Sequence, residues 1–339
     1  MSNDSPTEFR LGIDIEIDPD EEEIICQHYR IKRIENLNKC KKLKKLAIVA
    51  SCVEDIEGLD DHKVDLEHLE IYQGLVKEIK NVAQLTNLRV LDLSFNKIGK
   101  IEGIDSLVKL EKLYLSNNRI STIEGVDSLV NLQVLELGSN KIRRITGLGT
   151  LRKLKELWLG KNKIENMRDM DELQFPHLQQ LSLQSNRLTE WSDKLFKTVA
   201  PNLVNIYLGS NALSDPDTCV LYGLNADTLE EMDLSYNRLT EIPAFSKSMT
   251  VLHELWLNDN LIPSTDTFPR LGSATLPCLQ TIYLERNPVQ IECPLDYRNM
   301  LRLNVSETVT QIDATVITNQ ESLVFSSATV LPKKAILKH

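Results

Sequence analysis

The chain has 339 residues, with 39 Lys and Arg against 49 Asp and Glu, and its formal net charge of −10 argues against a dedicated nucleic-acid binder. No run of about 18 apolar residues exists to span a membrane. The six cysteines (Cys26, Cys40, Cys52, Cys219, Cys278 and Cys293) form no C-x-x-C pair, and Met1 to Arg10 lacks an apolar signal core, so a reducing compartment, cytosol or nucleus, is expected.

Residues 1–23 are acidic over Asp14, Glu16, Asp18 and Asp20 to Glu23, and are expected to be disordered or a loose cap. A repeat follows. Leu88, Leu91, Leu93, Asn96, Ile98, Ile101, Gly103 and Ile104 recur 22 residues later at Leu110, Leu113, Leu115, Asn118, Ile120, Ile123, Gly125 and Val126. They recur again from Leu132 to Leu148. The pattern L-x-x-L-x-L-x-x-N-x-I-x-x-I-x-G-I is the leucine-rich-repeat signature. Its Asn column continues at Asn162, Asn186, Asn211, Asn237, Asn260 and Asn287 with wider spacing; upstream the slot falls on Gly74, Ser51 and Tyr29.

The predicted fold is an α/β repeat solenoid, a leucine-rich-repeat horseshoe of about twelve units over residues 24–290. Each L-x-L is a short strand of a parallel concave sheet, with both Leu side chains inward and the residue between them outward. The recurrent Asn satisfies backbone groups at the turn, and I-x-x-I supplies a convex layer of short 3₁₀ turns. Residues 264–275 read as an insertion, residues 291–317 as a C-terminal cap and residues 318–339 as a mobile tail.

The residues between the inward leucines carry the functional signal. In order they are Ala47, Glu70, Asp92, Tyr114, Glu136, Trp158, Ser182, Tyr207, Asp233, Trp256 and Tyr283. Aromatic residues make up 5% of the chain, yet five of these eleven slots hold one, which is hard to reconcile with a merely solvated sheet. Trp and Tyr are the residues most enriched at binding hot spots, and interleaved carboxylates, with Glu156, Glu231, Glu254 and Glu285 beside them, would pair with a partner's Arg or Lys. The carboxylates lie separated by aromatics with no His at ligand spacing, so no metal or other cofactor is expected. No phosphate loop, G-x-S-x-G or H-E-x-x-H occurs, and an enzyme is not expected.

Leu135–Asn140, Leu255–Asn260, Tyr283–Pro288 and the C-terminal Tyr297-Arg298 and Gln311–Thr315 together resemble the protein phosphatase 1 regulatory subunit 7 family, leucine-rich-repeat regulators of the type-1 Ser/Thr protein phosphatase. The resemblance spans about Ile24 to Ile317. It implies a nuclear and cytoplasmic protein that holds the phosphatase catalytic subunit on its concave face, at times with a third inhibitor subunit, and controls its activity, maturation or nuclear function. It places contacts on Asp92, Tyr114, Glu136, Trp158, Tyr207, Asp233, Glu254, Trp256 and Tyr283, to which the spacing adds Glu70. The short basic-Val-x-Phe/Trp docking motif of other phosphatase regulators is absent: Lys63–Leu66 lacks the aromatic and Leu323–Phe325 the basic residue. No direct nucleic acid, membrane or small-molecule substrate is expected. The alternative is a leucine-rich-repeat adapter presenting a protein partner in a spliceosomal or other ribonucleoprotein complex.

Overall fold

The computed structural model describes residues 8–62, 65–192, 194–216, 227–247 and 249–318. The expected tail over 319–339, the Lys63-Val64 pair, Cys219 and residues 1–7 lie outside them. The chain divides into two compact units, at Leu203/Val204. The sequence reading had one solenoid there, and the boundary falls where the repeats lengthen beyond 22 residues.

The first unit carries eight strands: β1 (Glu23–Gln27), β2 (Lys45–Val49), β3 (His68–Tyr72), β4 (Val90–Asp92), β5 (Lys112–Tyr114), β6 (Val134–Glu136), β7 (Glu156–Trp158) and β8 (Gln180–Ser182). Each pairs in parallel with the next. The register sets Leu69, Leu91, Leu113, Leu135, Leu157 and Leu181 side by side, all fully buried. No single coil could bury its apolar face, so this stack of leucines is the core that holds the coils together.

The Asn column does the turn's hydrogen bonding. Asn118 donates from Nδ2 to the carbonyls of Leu93 and Leu115 at 3.0 Å each, and its Oδ1 accepts from the Ile98 N–H at 2.9 Å. Asn96, Asn140 and Asn162 repeat the arrangement, stitching each coil to the one before. The Gly column answers a steric demand: Gly125 lies at φ +68°, and a Cβ there would sit 2.5 Å from the Ile101 carbonyl oxygen. Where the slot holds Asn81 or Asn36, also at positive φ, the side chain donates to the carbonyl of Ile56 or Leu11.

The convex side is plainer than predicted. In the coils between Leu88 and Glu165 it consists of bends and i→i+3 turns such as Leu107 N–H to Ile104 O, because so few residues separate successive strands that no helix has room to propagate. Three-residue or longer 3₁₀ segments occur at Asp60–His62, Met167–Met170 and, in the insertion, at Phe268–Leu271, where Phe268 and Leu271 join the core.

Residues 8–23, expected to be disordered or a loose cap, make specific contacts with the first coil. Phe9 bridges Ile31, Leu11 is fully buried, and Gly12 takes φ +68° against Asn36. Gly12 thus takes the left-handed conformation of the later turn glycines, and burial of Leu11 packs part of this acidic segment.

In the second unit β9 (Asn205–Tyr207), β10 (Glu231–Asp233), β11 (Glu254–Trp256) and β12 (Thr281–Tyr283) run parallel in that order. Helices α1 (Pro288–Glu292) and α2 (Tyr297–Arg302) follow. A short strand β13 (Gln311–Ile312) pairs in parallel with β12, and β14 (Thr315–Val316) returns antiparallel.

Candidate partner-binding face

Because inward leucines alternate with outward residues, the outward side chains of neighbouring strands stand directly opposite one another. In the first unit the register aligns Ile25, Ala47, Glu70, Asp92, Tyr114, Glu136, Trp158 and Ser182 in one column. In the second it aligns Tyr207, Asp233, Trp256 and Tyr283. The predicted site residues therefore fall into two columns, one per unit, with Glu254 in the parallel row Asn205, Glu231, Glu254, Thr281. Ile25, half exposed, heads the first column and escaped the sequence reading because β1 lacks the leucine pattern.

Both tryptophans are held by their own strands. The Trp158 indole N–H donates to Glu156 Oε2 at 3.1 Å, and the Trp256 indole N–H donates to Glu254 Oε1 at 2.7 Å. Two residues apart on a strand is the spacing that puts side chains on the same face, so Glu-Leu-Trp is a local device that satisfies the indole and fixes its plane. The Trp256 and Tyr283 rings lie 5.1 Å apart at 59°. The Tyr207 hydroxyl donates to Glu231 Oε2 at 3.0 Å; burial first, then that hydrogen bond, pushes its phenol up to about 12. Gln311 of the cap donates to the Tyr283 hydroxyl at 2.8 Å. These aromatic rings are half-buried and preorganised, with their polar atoms already satisfied.

The carboxylates differ among themselves. Burial raises the Asp92 carboxyl above its ordinary range against the opposing Ser94 backbone N–H, which it accepts at 2.8 Å. Burial likewise raises Glu136 and Asp233. Glu70 lies 3.6 Å from His68 Nε2, an imidazole whose own pKa is lowered, chiefly by burial and then by Lys45. Along the strand flanks, in contrast, Glu22, Glu67 and Glu111 pair with Lys44 and Arg89. Among the described residues no Lys or Arg comes within ion-pair distance of Glu70, Asp92 or Glu136. Asp233 departs from expectation: it is only 6% exposed and turns back to accept from the Ser235 backbone N–H and hydroxyl at 2.8 and 2.6 Å. Its chief contact is its own turn.

The coil geometry has a counterpart among known proteins. A family model described as leucine-rich repeats in two copies matches residues 86–128, 130–174 and 227–270. An internalin, InlF of Listeria monocytogenes, shares the fold at a TM-score of 0.72 and 20% identity, over 90% of this chain and 84% of that one. The chain has a leucine-rich-repeat fold. Two named relatives of this leucine-rich-repeat protein share more of its sequence over shorter stretches. Protein phosphatase 1 regulatory subunit SDS22 of Saccharomyces cerevisiae is 41% identical over 88 residues, 24% of this chain and 25% of that protein. Protein phosphatase 1 regulatory subunit pprA of Dictyostelium discoideum is 38% identical over 66 residues, 20% of this chain and 18% of that protein. The family that its repeats resemble is thus that of leucine-rich-repeat phosphatase regulators, and the chain spans about a quarter or less of the length of these relatives.

Proposed function

We propose that this leucine-rich-repeat protein is a non-catalytic regulatory subunit that holds the catalytic subunit of type-1 Ser/Thr protein phosphatase on the outward columns of its strands. The observation that carries the reading is the pair of Glu-Leu-Trp strands. Each presents a locked, half-buried indole beside carboxylates that, among the described residues, no Lys or Arg pairs with. Rigid aromatics lose little entropy on docking, and desolvated carboxylates favour a cationic partner surface. The names of the two relatives support this choice of partner. Tyr114, Trp158, Tyr207, Trp256 and Tyr283 are assigned as apolar contacts, and Glu70, Asp92, Glu136 and Glu254 as charge partners.

The test is a titration of the purified chain with the phosphatase catalytic subunit, both metal-loaded and metal-depleted. Trp158→Ala and Trp256→Ala are each expected to weaken binding by about 2 kcal/mol, roughly thirtyfold, with unchanged circular dichroism. Failure of the wild type to bind either form of the enzyme refutes the phosphatase reading, and capture of a ribonucleoprotein component would put the adapter in its place.

A further inference from the structure

One column of the coil has no place in the reading above. The residue just before the turn slot, which holds Ser51, Gly74 and then Asn, takes a left-handed φ in every coil from Ala50 to Arg286. The slot is filled mostly by residues that tolerate that conformation or stay small, such as Asn117, Ser139, Ser185, Ser210 and Asp259. Phe95, at φ +58°, and Tyr236, at φ +52°, are the two aromatic exceptions, and they are 42% and 51% exposed. A bulky side chain in left-handed backbone is strained, and an exposed ring gives up its burial energy. Both costs fall at the same two positions.

In the first unit Phe95 packs on Tyr72, the last residue of β3, with ring centroids 4.9 Å apart. Tyr72 is on the same outward side as Glu70, and β3 is registered beside Asp92 of β4. Burial, and then the negative charge of Asp92, Glu136 and Glu70, push the Tyr72 phenol above its ordinary value, so the ring pair stands within the field of three carboxylates. Lys45 and Lys112 stand at the opposite ends of their strands, and Lys45 pairs with Glu23.

The second unit shows what such a lip accommodates. There the Tyr236 side chain is among the groups that hold the Asp259 carboxyl low. The guanidinium of Arg286, in the same left-handed column, grips Asp259 with two bonds of 2.7 Å. Burial pulls the Asp259 carboxyl up, and the hydrogen bonds from Arg286 and Asn258 outweigh it and hold it low. An aromatic and a carboxylate at the lip are completed by an arginine of the chain itself.

We infer that the first-unit lip, Tyr72 and Phe95 above Glu70 and Asp92, is a docking site for an arginine side chain carried by a basic segment of a protein partner. The guanidinium would lie against the rings while its N–H groups meet the carboxylates, the combination that favours arginine over lysine. Neither ring belongs to the set assigned to the phosphatase, while Glu70 and Asp92 belong to both, so the site is tested with a peptide in the absence of the phosphatase.

The experiment is fluorescence anisotropy on the full chain, with a short labelled peptide alternating arginine and glycine as the probe. Matched lysine and citrulline peptides serve as comparisons. The arginine peptide is expected to bind best and the uncharged citrulline peptide least. Phe95→Asn, which suits the left-handed backbone, and Tyr72→Leu, which keeps apolar volume without the π face, are each expected to weaken the arginine peptide about tenfold. Phe95→Asn is expected not to lower the thermal midpoint, so loss of binding cannot be loss of fold. The site is overturned if the wild type does not bind below about 1 mM, if citrulline binds as well as arginine, or if both folded variants keep wild-type affinity.

Discussion

Single positions in this protein show two kinds of constraint, one steric and one electrostatic. Gly125 is held by the first: its positive φ and the Ile101 carbonyl oxygen 2.5 Å from any Cβ leave room for nothing larger. Gly125→Ala should therefore cost about 2 kcal/mol or more in urea unfolding. Gly99→Ala, where a Cβ would meet nothing within 4 Å, should change stability by about 0.5 kcal/mol at most. Equal effects at the two glycines would remove the steric account of the repeat.

Glu136 shows the second constraint. Burial raises its carboxyl above the ordinary value, with Ser116 pulling the other way. The folded state thus holds the proton more tightly than the unfolded chain. Its contribution is fully present below the unfolded carboxylate range, near pH 4, and is lost as pH rises through the higher folded value. At pH 7 the ionised group costs stability, so Glu136→Gln should raise the thermal midpoint there. The gain should vanish near pH 3, where both side chains are neutral. A lower midpoint at pH 7 would mean that the carboxylate is needed for the fold rather than for a partner's charge.

Among the elements, the last coil needs a substitute for the neighbour it lacks. In earlier coils the second inward leucine donates its N–H to the next strand, as Leu257 does to the Tyr283 carbonyl. Leu284 instead donates to Asp313 Oδ1 at 2.8 Å, and Glu285 to the same oxygen at 2.9 Å. The buried Tyr297 hydroxyl of α2 donates to Asp313 Oδ2 at 3.1 Å. One carboxylate thus ends the ladder and ties the cap helix to it. Asp313→Ala leaves these donors without their acceptor, at about 1–3 kcal/mol each. Amide exchange in β12 and the cap should accelerate markedly while the β4–β7 amides keep their protection, as nearest-neighbour coupling in repeat proteins requires. Uniform acceleration along the whole chain would contradict that.

For the molecule as a whole, the net charge of −10 and the carboxylates of the face would act together on encounter with the proposed partner. With a Debye length of about 8 Å at physiological salt, rising ionic strength should slow association with a basic partner far more than it speeds dissociation. Stopped-flow or surface-binding kinetics between low and high salt would show this. A salt-independent association rate would assign the affinity to the aromatic anchors alone.

How much of this was legible before folding follows from what periodicity encodes. The spacing of Leu91 and Leu93, of Asn96 and of Gly103 determined the coil, its inward face and the outward column, because a strand's period of two admits one assignment of sides. Other features depend on which side chains meet across coils, and one-dimensional spacing does not carry that. Asp233 belongs to the predicted column yet turns into its own Ser235, while Glu156 and Glu254 spend an oxygen each on an indole. Phe95 lay outside every consensus position and gained meaning only when Tyr72 came to rest against it. Leu11 looked like part of an acidic lead until the first coil gave it somewhere to be buried. The sequence by itself determined which face is offered; only the tertiary structure decided which groups on it are already satisfied, because hydrogen bonding and desolvation are properties of neighbours in space.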